Sequence, residues 1–162
     1  EEYYVLSADR LFVMQEFLDA LRVVLDRGYE AVVVTNQKSV HRGLITMEGI
    51  DEIHAHLRRV IDAAGLRLRD IYVAPHGDGH PDRKPNPGML LRAASDHDLD
   101  LGRSWMIGDS ERDIQAGLAA GCTTQVLVKD AHDETDADYR LLHMRELPGF
   151  LEEHLPHLEE PV

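Results

Sequence analysis

One stretch restricts the fold more than any other: Ser104 to Gly121, SWMIGDSERDIQAGLAAG. Trp105, Met106 and Ile107 form a short apolar run without polar alternation, the pattern of a strand covered on both faces. Gly108 ends it. Asp109 and Asp113 follow four residues apart, so a helix that starts here carries both on one face of its first turn. Ile114, Gly117 and Leu118 then recur at helical spacing, and Gly121 is placed to close the helix. A strand that runs into a helix in this way belongs in a parallel sheet, and this one brings two carboxylates to the rim. Oxygen-only donors suit Mg²⁺, which takes one or two carboxylates and completes its shell with water or phosphate oxygens. The plainer reading of the same residues is capping, because Asp at a helix N-terminus satisfies orphan N–H groups and meets the positive end of the dipole.

The same alternation runs through the chain. Tyr3 to Leu6 reads as a short strand, and Ser7 to Phe12 as a loop or turn. Phe17, Leu18, Leu21, Val24 and Leu25 follow helical spacing up to Gly28. Ala31 to Val34 is a continuous apolar, mostly β-branched run that ends in Thr35-Asn36-Gln37. Lys38 to Leu44 reads as a loop with two cations, Lys38 and Arg42, and His41. Thr46 is an N-cap signal for a helix through Met47, Ile50, Ile53, Leu57, Val60, Ile61 and Ala64, stopped by Gly65. Ile71 to Val73 is a third strand. Ala74 to Pro87 holds four prolines and two glycines and reads as a loop. Asn86 and Pro87 then fit N-cap and first turn of a helix with Leu90, Leu91 and Ala94 on its buried side. After the Asp113 helix come a strand from Gln125 to Val128, an acidic surface loop from Lys129 to Tyr139, and a last helix from Glu146 to Leu155.

Strands alternating with helices predict an α/β chain: three Rossmann-like layers around a central, mostly parallel sheet, in one domain over residues 1–162. The Pro-rich loop is too short to suggest a sizeable cap domain. Such sheets bind ligands outside the carboxyl ends of their strands. Thr35, the Pro-rich loop and Asp109 each come directly after a strand, so they are expected to converge.

Composition narrows the partners. The formal net charge of −13 over 162 residues repels a nucleic-acid backbone or an anionic membrane surface. No apolar run approaches the ~20 residues of a membrane span, and no signal peptide is visible. The single cysteine, Cys122, cannot form an internal disulfide and suits a reducing cytoplasm. A locally basic pocket remains compatible with a small phosphorylated metabolite. The convergent residues would form one: Thr35 and Asn36 as neutral donors, Arg83 and Lys84 as cations, Asp109 and Asp113 as carboxylates. Donors and a lysine hold non-bridging phosphoryl oxygens, while Mg²⁺ neutralises the rest.

VVVTNQ, RKPNPGML and MIGDSERDIQAG resemble motifs two, three and four of the haloacid-dehalogenase-like (HAD) phosphatases. NQ after the threonine, the HRG loop and RKPNPGM are similar to the branch holding the heptose bisphosphate and histidinol-phosphate phosphatases. This resemblance spans Tyr4 to Leu151. It implies Thr35 and Asn36 on the transferring phosphoryl group, Lys84 paired with phosphate and nucleophile, and Arg83 on substrate. Asp109 would ligate Mg²⁺ and Asp113 would support that metal site, with Gln37 and Arg42 as further substrate contacts. It also implies a Mg²⁺-dependent phosphomonoesterase for small metabolites, first a heptose-bisphosphate-type sugar phosphate and next histidinol phosphate.

Two departures stand against the family pattern. The Asp-x-Asp-Gly-Thr run that supplies the nucleophile and general acid is absent from this sequence. Either it lies ahead of Glu1, since YVLSADRLF resembles the segment just downstream of that run in the branch, or Ser7-Ala8-Asp9 stands in its place degenerately. A serine there has no adjacent base to activate it. The degenerate case would make the chain an inactive binding or regulatory protein. The branch's zinc loop is also depleted. Ala74, His76, His80 and Asp82 occupy its places, and three ligands without a thiolate argue against zinc. A receiver-type phosphoacceptor domain also gathers acids, a Thr and a Lys on a parallel sheet. The long second helix and RKPNPG argue against it.

Overall fold

Helix α1 (Gln15–Asp26) opens the described part of the chain, residues 15–158 of a computed structural model. The Tyr3 to Leu6 strand and the candidates Ser7 and Asp9 lie outside the described residues. After α1 come β1 (Val32–Asn36), α2 (Lys38–His41), α3 (Met47–Ala63), β2 (Asp70–Ala74) and α4 (Gly88–His97). Then β3 (Trp105–Gly108), α5 (Glu111–Ala120), β4 (Thr124–Val128), β5 (Tyr139–Leu141) and α6 (Leu147–His154) complete the order.

Every pairing is parallel. β1 lies on β2 from Val32 opposite Asp70 to Asn36 opposite Ala74. β3 lies on β4, and β4 on β5. Helices cover both faces. Val32 and Val34 of β1 pack with Tyr72 and Ala74 of β2 against Met89 and Ala93 of α4. Met106 of β3 meets Leu90 of α4 and Ala116 and Ala120 of α5 on that same side. Trp105 and Ile107, one residue out of phase, face α1 and α6 through Ala20, Val23, Leu147 and Leu151. α3 joins α1 through Leu21, Ile61 and Leu57. The fold class is therefore three-layer and Rossmann-like, and no inserted subdomain stands over the strand ends among the described residues.

Several local expectations shift. Lys38 to His41 is a helical turn rather than a loop. Pro87, not Asn86, is the N-cap of α4, because the Asn86 amide donates to His80 O at 3.0 Å and is committed to the loop. Leu91 and Leu118 are exposed, since a helix lying on a sheet buries only a narrow stripe. Tyr139 begins β5 instead of ending a loop.

Helices cover both faces of the strands as expected, yet β1 and much of β3 are less buried than such cover implies, for one shared reason. All of β1 is only partly buried, as are Trp105 and Ile107. One edge of β1 pairs with β2 and one edge of β3 with β4, and no described strand pairs the other edges. Both strands line a common cavity of about 780 Å³, with Phe17, Leu21 and Val24 of α1 as part of its wall. The cavity runs the length of the strands, from Glu30 and Ser104 to Thr35, Asp109, Lys84 and Asp113.

Candidate active site

The carboxyl end of β1 and the Pro-rich loop are tied together by one side chain. Asn36 Oδ1 accepts from Lys84 N at 3.0 Å, and Asn36 Nδ2 donates to Lys84 O at 3.2 Å. This pair of hydrogen bonds fixes the Lys84 backbone to Asn36 at the end of β1. Lys84 Nζ donates to Val34 O at 3.0 Å and to Asp113 Oδ1 at 2.5 Å. An ammonium has three protons, so one remains for a ligand. Thr35 Oγ1 accepts from Gln37 Nε2 at 3.0 Å, which leaves the hydroxyl proton to donate outward.

Asp113 is both counterion and cap. Its Oδ2 accepts from Asp109 N at 3.1 Å, Ser110 N at 3.2 Å and Ser110 Oγ at 3.3 Å, closing a capping box at the start of α5. Both oxygens are thus engaged by the protein. Gly108 makes this fit possible, because a Cβ there would stand 2.3 Å from Asp113 Cβ. Asp109 stands exposed beside it. Desolvation by the surrounding groups and the neighbouring Asp113 charge push its carboxyl above the usual carboxylate range. A site with surplus negative charge and carboxylate donors only is matched to a hard divalent cation such as Mg²⁺. The structure brings Thr35, Asn36, Lys84, Asp109 and Asp113 to one end of the sheet.

The remaining candidates are arranged differently. Gln37 braces Thr35. Arg42 caps α2 at the exposed surface, and no described hydrogen bond joins its side chain to this cluster. Arg83 is buried, with its Nε donating to Asp78 Oδ1 at 3.2 Å. Lys38 reaches that same carboxylate at 3.1 Å. The Lys38–Asp78–Arg83 triad has no motif of its own; the Gly77-Asp78-Gly79 tip was its only trace in the sequence.

His76, His80 and Asp82 do meet, with ligand-type atoms within 4.8 Å of one another and the two rings stacked at 3.6 Å. Two of the three, His80 and Asp82, are already engaged. Asp82 N donates to His80 Nδ1 at 3.1 Å, so the neutral ring carries its proton on Nε2 and has no lone pair left. Asp82 Oδ2 pairs with Arg92 at 2.9 Å. This donor set does not fit structural zinc.

Comparison with known proteins identifies the family. The HAD-hydrolase-like family matches residues 82–146. The D-glycero-beta-D-manno-heptose-1,7-bisphosphate 7-phosphatase of Yersinia pestis is 35% identical, over 90% of this chain and 85% of its own length. The D-glycero-alpha-D-manno-heptose-1,7-bisphosphate 7-phosphatase of Campylobacter jejuni is 31% identical, over 92% and 91%. The crystal structure of D,D-heptose 1,7-bisphosphate phosphatase from B. bronchiseptica, complexed with magnesium and phosphate, superposes with a TM-score of 0.81 at 28% identity, covering 93% of this chain and 89% of that one. The chain belongs to the HAD phosphatases, in the branch of the heptose bisphosphate and histidinol-phosphate phosphatases.

Proposed function

We propose that this chain is the body of a Mg²⁺-dependent phosphomonoesterase for small phosphorylated sugars of the heptose bisphosphate type, with histidinol phosphate as the next substrate class. The observation that carries this reading is the Asn36–Lys84 tie, which seats Lys84, with one ammonium proton left over, on the cavity that Thr35 and Asp109 also line. Lys84 and Thr35 hold two phosphoryl oxygens, and the second proton of the Asn36 amide is available for a third. Asp113 holds the Lys84 ammonium in place. Asp109 holds Mg²⁺, which neutralises charge on the phosphoryl group. The relatives named as heptose bisphosphate phosphatases support the sugar-phosphate class.

The nucleophile is the open part. A strand running parallel to β1 and β3 in the cavity would pair both free edges at the usual spacing of about 4.8 Å. It would also point its last residues at Thr35, Lys84 and Asp109. That placement is where an Asp-x-Asp carboxylate pair would attack phosphorus and protonate the leaving oxygen. The test is Mg²⁺-dependent phosphate release from heptose 1,7-bisphosphate. The 162-residue chain alone is expected to show no turnover. The same chain preceded by a strand ending in Asp-x-Asp-Gly-Thr is expected to turn over, and Asp109→Asn in that form to abolish it. Turnover by the 162-residue chain, insensitive to Asp109→Asn, would overturn the reading. Binding without turnover in both forms would favour the inactive binding protein.

A further inference from the structure

Two cations stand next to phosphoryl-site residues along the chain. Lys38 lies two residues beyond Asn36, and Arg83 immediately precedes Lys84. They converge on one oxygen: Lys38 Nζ lies 3.1 Å from Asp78 Oδ1, and Arg83 Nε lies 3.2 Å from it. Lys38 also reaches Oδ2 at 3.1 Å. The partners are anchored unequally. The Arg83 side chain is 4% exposed and that of Lys38 19%, whereas Asp78 is 77% exposed. Asp78 sits on a turn between Gly77 and Gly79, and Gly79 takes a left-handed φ of +84°. Glycine on both sides leaves the tip free to rotate. The cations are therefore the fixed part of the triad, and the anion is the removable part.

An exposed carboxylate gains little from such pairing, because water screens it and competes for it. A phosphate group carries more charge and more acceptor oxygens, and it matches the guanidinium fork. We propose that Asp78 sets specificity by holding down the affinity for a ligand with a second anionic group. Its carboxylate keeps, on Lys38 and Arg83, the place of a second anionic group of the substrate, and it yields only to a ligand that carries one. This rests on the phosphoryl site at Thr35, Asn36 and Lys84, which takes the first anionic group. A monophosphate leaves Asp78 seated, and a bisphosphate unseats it.

The test is calorimetric titration of the full 162-residue chain, in Mg²⁺, with fructose 6-phosphate and with fructose 1,6-bisphosphate. Asp78→Asn removes the competing charge and keeps the shape. It should tighten the bisphosphate by on the order of tenfold and leave the monophosphate within about twofold. Lys38→Met should weaken the bisphosphate by a similar factor, and Lys38→Arg should restore it. Thermal melts of each variant separate a folding defect from a binding one. An unchanged bisphosphate-to-monophosphate affinity ratio in Asp78→Asn, with both ligands binding, would make Asp78 an ordinary surface ion pair and end the proposal alone. Failure of either sugar phosphate to bind the parent chain would remove the phosphoryl site and the proposal with it.

Discussion

The Lys84 side chain is 11% exposed and is held between the Val34 carbonyl and the Asp113 carboxylate, itself 7% exposed. Removing one member of a nearly buried pair leaves the other charge without compensation. Lys84→Met is expected to lower stability by about 3 kcal/mol, read as a shift of the urea midpoint at constant slope. Lys84→Met/Asp113→Asn should recover part of that loss, because Asn still caps α5 while the stranded charge is gone. A single-variant cost below about 1 kcal/mol would show that the pair is solvated. Cys122 shows the opposite case, a residue with no part in the site. Burial pushes its thiol up to about 11, so it packs as a small apolar group and has little thiolate character near neutral pH. At this scale the sequence was informative wherever a polar residue came directly after an apolar run, as Thr35, Asn36 and Asp109 do. It could not show that Asn36 is a strut to a residue 48 positions away, or that Asp113 serves Lys84 and the helix cap together.

Among the elements, α5 does the most positioning. Its N-terminus presents Asp109 and Asp113, and its Gly117 lets it lie close on β3 and β4, where a Cβ would meet Gln125 Oε1 at 2.2 Å and Met106 Cβ at 2.6 Å. Glu111 in its first turn also fastens the 130–138 segment. Its carboxylate accepts from Asp136 N at 2.9 Å, Thr135 Oγ1 at 2.6 Å and Gln115 Nε2 at 3.0 Å. Partial burial alone would raise the Glu111 pKa, but these donors favour the ionised form and hold it below the usual 4.5. A depressed folded pKa contributes stability that is present above the unfolded value and lost as pH falls through the folded one. The Asp136 amide is therefore expected to stay protected from hydrogen exchange down to pH 4.5 and to lose protection below it, where Glu111 protonates. Glu111→Gln should weaken that protection even at neutral pH. β5 escaped the sequence because three residues are too few to show a period of two, and its acidic approach reads as loop. The segment is set by a tertiary exchange, with Gln125 N donating to Asp138 Oδ2 at 2.7 Å and Asp138 N to Gln125 O at 2.9 Å.

For the molecule as a whole, the central feature is the long cavity beside β1 and β3. β4 has neighbours on both sides, whereas β1 and β3 have one each among the described residues. Backbone amides of Gln125 to Val128 are expected to exchange more slowly than those of Val32 to Thr35 and Trp105 to Gly108, because half of the latter point away from any described strand. Equal protection across the three strands would mean that the free edges are paired in solution. Within a chain of net charge −13, Lys38, Arg83 and Lys84 each meet a carboxylate, Asp78 or Asp113, next to the residues proposed to bind phosphate. Apart from α2 and β5, the order of the described strands and helices, their parallel direction and the polar residues at their carboxyl ends were determined by the sequence alone. Hydrophobic period and punctuation are local properties that survive without a partner. Which strands became neighbours, that β1 and β3 each have an edge with no partner among the described residues, and that Asp78 bridged Lys38 to Arg83 were decided only in the tertiary structure. Those contacts join side chains and edges through sheet order and loop path, and no local pattern encodes either.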